Sequence, residues 1–505
     1  MKQSPSHFVG ALIALLASVL TMKAAERPNI LYLMADDHST AAIGAYATTL
    51  KNVVQTPELD RLASEGGRFT NVQCINSLCA PSRATIITGL YSHQTGVYTL
   101  RENLNTADIP SLPKGLQAHG YQTAAIGKWH VHGDNLHGFD YYAITRSQGA
   151  YFNPALGDFN GEKIRLKGYS SDVLTDHSIE WLQNRDSEKP FFLMLHFKAT
   201  HSPWQYAQRH ESLFADTKIP EPPTLFDDHR NRDPNGLATA QSRIHKTNSK
   251  MSLSLWFSSS KKGSSADWPS GEISIDGLSD IEKAKATYQK YAKDYLRCVK
   301  GIDENVGRIR AYLEESGQLE NTIIIYTSDQ GMYVGEHGLF DKRLGLDPAM
   351  RMPLIIRYPK QIAAGSVHDA LINNVDYAET ILDMTGAPIP ASMQGFSFWG
   401  LATEQGDWNR RQSLYQFYSN GVSKHYGLVT ETYKLLKYVD KNNQVSGFDL
   451  FDRKNDPHEL QNLATNPEYA TILAKMEAAL AAERQSVGLT DALLPGSAET
   501  GKPTK

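Results

Sequence analysis

The stretch "NILYLMADD", Asn29 to Asp37, carries a run of mostly apolar residues straight into two carboxylates. A short apolar run that ends abruptly in polar residues reads as a strand buried on both faces, the kind found in parallel sheets. The same pattern recurs three times. "YQTAAIG" is followed by "KWH", "FFLMLHF" by "KATHSPW", and "NTIIIYTS" by Asp329-Gln330-Gly331. Helical patterns lie between these runs, at Pro57 to Glu65, in "DVLTDHSIEWLQNR" and from Asp280 to Ser316, and "PLIIRYP" reads as one more strand. Strands alternating with helices predict an α/β fold, a large central, mostly parallel sheet flanked by helices. Ligands of open α/β sheets bind beyond the carboxyl ends of the strands. That edge would gather Asp36, Asp37, Lys128, His130, His201, Asp329 and Gln330, although they are far apart in the chain.

Asp36-Asp37 and Asp329-Gln330 offer only oxygen donors, which suit calcium or magnesium better than zinc. Either pair alone also fits a turn or a helix cap. Arg83, Lys128, His130, His201 and Lys342 form a complementary cationic set. Beside a divalent ion they would make a positive hole for a compact oxyanion such as sulfate or phosphate. Taken singly, each histidine fits a satisfied hydrogen-bonding residue, and Lys342 in "FDKR" fits a solvated surface.

"LCAPSRATIITG", Leu78 to Gly89, has proline near its start and glycine at its close, the order that punctuates a helix. Cys79 would stand at the helix N-terminus, where free N–H groups favour a nucleophile or an anion. The three cysteines, Cys74, Cys79 and Cys298, are no disulfide framework. Plain burial, or a pairing with Cys298, would also account for them.

Residues 1–25 combine Lys2, an apolar run from Phe8 to Leu20, and Ala24-Ala25. The run is shorter than the roughly 20 residues of a membrane span and fits a signal peptide, which predicts a periplasmic or secreted protein; a retained anchor is the alternative. The net charge of −4 gives no general attraction to nucleic acid or to anionic lipid, and no membrane association is expected once a signal is cleaved. Residues 26–373 form the expected catalytic domain. Within it, 227–271 is a polar insertion, either a wall facing substrate or a loop without a role. Residues 374–505 form an expected smaller α+β domain. It begins with the helix "DYAETILDMTG", continues in antiparallel strands, and ends in an amphipathic helix with Leu473, Met476 and Leu480 on one stripe.

Several of these motifs, in this order, carry a family resemblance. "CAPSRATIITG", "ADD" after the first strand, "GKWH", "HSPW", "TSDQG", "GEHGLFDKR" and the closing "FDLFDRKNDPHELQNLA" resemble the formylglycine-dependent sulfatases of the alkaline-phosphatase-like superfamily, in particular bacterial exported carbohydrate sulfatases. The resemblance spans about residues 27–485. It implies that a maturation enzyme oxidises Cys79 to formylglycine (3-oxoalanine), whose hydrate attacks the sulfur of a sulfated saccharide. It implies a calcium ion held by Asp36, Asp37, Asp329, Gln330 and modified Cys79, with Asp329 also taking the proton of the attacking hydroxyl. Arg83 and Lys128 would steady the hydrate, and His201 and Lys342 would serve the leaving oxygen. His130 would remove the proton that expels sulfate. His132, His137, His337 and Arg343 lie near the motifs as candidate substrate contacts or structural residues. His93 is a candidate support for the active-site helix, and Trp204 either stacks on a sugar or fills the core. A phosphodiester or phosphonate monoester hydrolase, or a glycan-binding protein that never matures, are the competing readings. Replacing Cys79 by Ala is expected to abolish sulfate release and to leave the thermal unfolding transition in place, because the position supplies the nucleophile and little core volume. Near-normal turnover in that variant refutes the nucleophile.

Overall fold

The computed structural model describes residues 27–47, 49–158, 160–240, 244, 277–418 and 422–495. The expected signal peptide, and the polar insertion from 245 onward, lie outside the described residues. Eight strands come first: β1 (Asn29–Ala35), β2 (Gly67–Gln73), β3 (Gln122–Lys128), β4 (Tyr141–Thr145), β5 (Ala155–Asp158), β6 (Lys163–Arg165), β7 (Phe191–His196) and β8 (Thr322–Ser328). A two-stranded ribbon, β9 (Tyr333–Val334) with β10 (Phe340–Asp341), precedes β11 (Arg351–Arg357), β12 (Ser366–His368) and β13 (Ile372–Asn373).

One 11-stranded sheet has the order β12-β2-β11-β8-β1-β7-β3-β4-β5-β6, with β13 also on β2. Its middle, β8-β1-β7-β3-β4, is parallel throughout. β11 is antiparallel to both β8 and β2, which makes the sheet mostly rather than wholly parallel.

The alternation of side chains in β1 explains the two layers. Ile30, Tyr32 and Met34 enter one buried cluster, while Leu31, Leu33 and Ala35 enter another on the opposite face. Each fully buried aliphatic side chain contributes roughly 1.5–3 kcal/mol, so from Ile30 to Ala35 the strand stays apolar apart from the Tyr32 hydroxyl, and carboxylates appear only where it leaves the sheet at Asp36. The second face is covered by the helices Pro57–Glu65, Ser170–Asn184 and Asp280–Glu315. The last begins with a reciprocal cap between Ser279 and Glu282. The first face carries the helices Cys79–Thr88, Leu112–Ala118 and Tyr377–Thr385.

That last helix departs from expectation. The sequence places it in the smaller unit beginning at residue 374, yet Tyr377, Ala378, Ile381 and Leu382 pack into the core of the large sheet. The smaller sheet begins later, as the antiparallel meander β14 (Gln412–Phe417), β15 (Lys424–Thr430), β16 (Tyr433–Val439) and β17 (Val445–Asp452). Helix Ala470–Ser486 lies on it through Met476 and Leu480, with Leu473 partly buried beside them. The described start of the polar insertion also differs from a loose surface loop. Arg232 is buried and pairs with Asp227 at 2.9 Å, so these charges neutralise each other inside a packed joint.

The two sheets are tied by a buried ion pair. Arg410, just before β14, grips Asp376, which also accepts from the backbone N–H groups of Asn373 at 2.9 Å and Phe396 at 2.9 Å. Removing one partner of a buried pair strands the other charge, whereas an exposed pair contributes little. Arg410→Ala is therefore expected to cost about 3–5 kcal/mol in urea unfolding. Lys454→Ala, at the exposed pair with Glu431, is expected to cost no more than about 1 kcal/mol.

Candidate active site

The carboxyl ends of β1, β3, β7 and β8 open onto one edge, and the expected residues meet there. Asp36 and Asp37 follow β1, Lys128 closes β3, His201 lies on the segment after β7, and Asp329 and Gln330 follow β8. Cys79 is the first residue of a helix whose ten residues are all buried; Gly89, at φ +65°, closes it. Strand β3 can lie this close to β7 only because residue 127 is glycine. A Cβ there would fall 2.1 Å from the His196 carbonyl oxygen.

One ligand atom each from Asp36, Asp37, Cys79 and Asp329 fall within 4.8 Å of one another, all on buried residues. Arg83 binds this cluster from the helix side. Its Nε donates to Asp329 Oδ2 at 2.8 Å, its Nη2 lies 3.5 Å from Asp36 Oδ1, and its Nη1 donates to the Lys128 carbonyl at 2.5 Å. Lys128 Nζ donates to Asp36 Oδ2 and, at 2.7 Å, to Gln148 Oε1. Lys342 Nζ donates to Asp37 Oδ2. Three carboxylates thus face three cations, all buried.

The electrostatics follow from that balance. Burial would raise the Asp36 pKa, but the charges of Lys128 and Arg83 outweigh it and hold the carboxyl well below its usual range. Asp37 is raised by burial despite Lys342. Asp329 is pushed up to about 7, burial outweighing Arg83. Burial alone would lower Lys342, but Asp37 prevails and keeps it charged. Burial, and then Lys128, depress His130 to about 2; burial, and then Lys198 and Lys342, hold His201 well below 6.5. Both imidazoles are neutral. Burial pushes the Cys79 thiol up to about 12, so unaltered it is a poor nucleophile.

Gln330 tests whether a cation fits. Its Nε2 contacts Asp37 Oδ1 and lies 3.7 Å from Cys79 Sγ, while its Oε1 is buried without a hydrogen-bond partner. With no cation between them, an amide N–H turned toward a carboxylate is the favourable pose. Half a turn of the amide brings Oε1 to the cluster, as a hard cation requires. The donor set therefore fits a calcium- or magnesium-like ion, and adding it turns a balanced site net positive.

A pocket of about 160 Å³ opens in front of Cys79, lined among others by His201, Trp204, Lys342 and Arg343. Trp204 also packs edge-on against Tyr291, with 4.7 Å between centroids, so it both walls the pocket and fills the core. Arg343 is held by Asp341 at 3.0 Å. The remaining candidates do not line this pocket. His337 is buried against Asp227 at 2.8 Å beside a different groove, and His137 is exposed and pairs with Asp134 at 3.1 Å. His132 stands edge-on to His130, 6.4 Å away. His93 bonds to the C-terminal part of the chain, with Nε2 on the Val487 carbonyl at 2.9 Å. All three cysteines are buried and free, which removes the pairing with Cys298. Gln148 and Lys198 were missed. Gln148 sits in no motif, and Lys198, in "KATHSPW", shows its role only through the path of the loop.

The sulfatase family profile matches residues 28–387. The chain belongs to the sulfatase family. It is a sulfuric ester hydrolase with the alkaline-phosphatase-like fold. The profile for the C-terminal region of N-sulphoglucosamine sulphohydrolase covers residues 335–486. This sulfatase is 40% identical to an N-acetylglucosamine-6-O-sulfatase of Bacteroides thetaiotaomicron, over 93% of this chain and 89% of the relative. A solved structure in complex with its substrate D-glucosamine-2-N,6-O-disulfate superposes with a TM-score of 0.83 at 37% identity, covering 93% of this chain and 100% of the other. The phosphonate monoester hydrolase of Agrobacterium radiobacter, at 19% identity and a TM-score of 0.69 over 91% of this chain and 96% of its own, shares the fold.

In the metal-free sulfatase Asp329 is protonated below about pH 7. A cation then has to displace that proton, so affinity is expected to fall about tenfold per pH unit below 7 and to level off above it. Calcium titration calorimetry in buffers of differing ionisation enthalpy should find close to one proton released at pH 6 and almost none at pH 8. Equal release at both values refutes the assignment.

Proposed function

We propose that this sulfatase is an exported, periplasmic or secreted enzyme that removes the 6-O-sulfate of a glucosamine unit in a sulfated saccharide. The observation that carries the reading is the 40% identity, across nearly the whole chain, to an N-acetylglucosamine-6-O-sulfatase. The similarity to a structure holding a 6-O-sulfated glucosamine supports it. A second relative, the N-acetylglucosamine-6-sulfatase of Capra hircus, is 27% identical over 90% of this chain.

In this proposal position 79 is matured by a formylglycine-generating enzyme, and Asp36, Asp37, Asp329, Gln330 and residue 79 hold calcium. Formylglycine supplies, as its hydrate, one hydroxyl to attack sulfur and another whose deprotonation later frees sulfate; calcium supplies positive charge for the sulfate oxygens. The chain's own residues do the rest. Arg83 anchors the helix that carries residue 79, and Lys128, fixed by Asp36 and Gln148, supplies positive charge beside that residue. Asp329 takes the proton of the attacking hydroxyl. Lys342 stays charged against Asp37 and stabilises negative charge on the departing oxygen. His201, neutral in the free enzyme, gains a proton in the field of the bound anion and delivers it from Nε2 to the bridging oxygen. His130 has no partner at Nδ1 and is neutral, so it is free to accept a proton when sulfate is expelled.

The test combines maturation-competent expression with sulfate release from N-acetylglucosamine 6-sulfate, its 3-sulfate isomer, N-sulfated glucosamine and an aryl phosphodiester. Fastest release from the 6-sulfate is expected, together with a Cys79 peptide about 18 Da lighter than the thiol form. A dominant phosphodiesterase rate, or an unmodified thiol in protein from the native host, overturns the reading.

A further inference from the structure

Lys198 is 3% exposed, yet it makes no ion pair among the described residues. An ammonium taken out of water without a counter-ion is unfavourable, and such groups concentrate at functional sites. Its contacts show what it does. Lys198 Nζ donates to the Ser202 carbonyl oxygen at 3.0 Å and stands over the ring of Tyr151, 5.4 Å from its centroid. The same Ser202 oxygen is 2.8 Å from His201 Nδ1, and the Tyr151 hydroxyl donates to the His201 carbonyl. One lysine and one tyrosine thus hold both carbonyls of the segment from which the His201 ring hangs.

A carbonyl can only accept, so the ring nitrogen facing it must carry hydrogen. Nδ1 is then the protonated nitrogen, and Nε2, 3.8 Å from Asp37 Oδ2, is the one presented to the pocket. Ser202 Oγ lies 3.2 Å from the same Nδ1, and a hydroxyl both donates and accepts. A Ser202 peptide free to turn would let either tautomer form. We propose that Lys198 is a positioning residue that fixes the tautomer and direction of His201 through the Ser202 carbonyl. Lys198 does not line the pocket, so it acts through His201 and does not touch the substrate.

The inference rests on the role given to His201 above, and a double-mutant cycle separates the two. The matured enzyme, Lys198→Met, His201→Gln and the double variant are assayed for sulfate release from N-acetylglucosamine 6-sulfate, with kcat, KM and Tm recorded for each. His201→Gln is expected to lower kcat about 100-fold. Lys198→Met is expected to lower it about tenfold or more, with KM within about threefold and Tm not reduced. The double variant should match His201→Gln within about twofold, because a residue acting through His201 has nothing left to act on. Multiplicative losses, or an unchanged kcat in Lys198→Met, overturn the inference alone. A near-normal His201→Gln, or a wild type inactive on this sugar, overturns the functional reading and the inference with it. If Lys198→Met fails to fold, Tyr151→Phe replaces it in the cycle. That change keeps the ring under Lys198 and removes only the hydroxyl on the His201 carbonyl, so the same non-additivity is expected and multiplicative losses refute it.

Discussion

Arg83 is the one side chain on which the geometry of the site depends. It is buried, and from a single helix it reaches Asp329 after β8, Asp36 after β1 and the carbonyl of Lys128 at the end of β3. Residues four apart on a helix share a face. Fixing Arg83 against three strands therefore also fixes Cys79, one turn earlier, over the space those strands enclose. A guanidinium suits this task because its planar fork serves several acceptors at once and stays charged without water. A lysine at the same place would reach one partner and leave the helix free to slide.

The buried charges around it set the local field of the site independently of the chain's net charge of −4. Asp36, Asp37 and Asp329 are matched by Arg83, Lys128 and Lys342, so the unliganded cluster attracts neither sign strongly. A divalent ion held by the carboxylates would upset that equality locally. Its charge would act through a medium of low polarizability and so count for far more than the same charge on the surface.

Much of this was legible from residue order. An apolar run must end where its backbone leaves the sheet, and parallel strands end on one edge, so Asp36, Asp37, Lys128 and Asp329 were bound to be neighbours. The helices Pro57–Glu65 and Asp280–Glu315 were equally plain from their periodicity. Residues placed by loops were harder. His130 and His337 look alike in sequence, each beside a glycine-bearing motif, yet one faces the catalytic cluster and the other is turned aside by Asp227. Lys198 stands three residues from His201, but its partner is a backbone carbonyl, which no side-chain pattern records. The helix Tyr377–Thr385 followed a change of texture in the chain, and its amphipathic face alone could not say which sheet it would cover.

The seclusion of Cys79 has a consequence for the life history of the molecule. It is 1% exposed, at the start of a helix whose ten residues are all buried, and its thiol resists ionisation. A pocket reaches this sulfur, but the backbone that carries it is already wound into a helix, so under the proposed maturation an enzyme that binds this segment as an extended peptide finds none in the finished fold. Under that proposal activity is decided by the order of events during biosynthesis, and a chain that closes before its oxidant arrives keeps a thiol that burial makes a poor nucleophile.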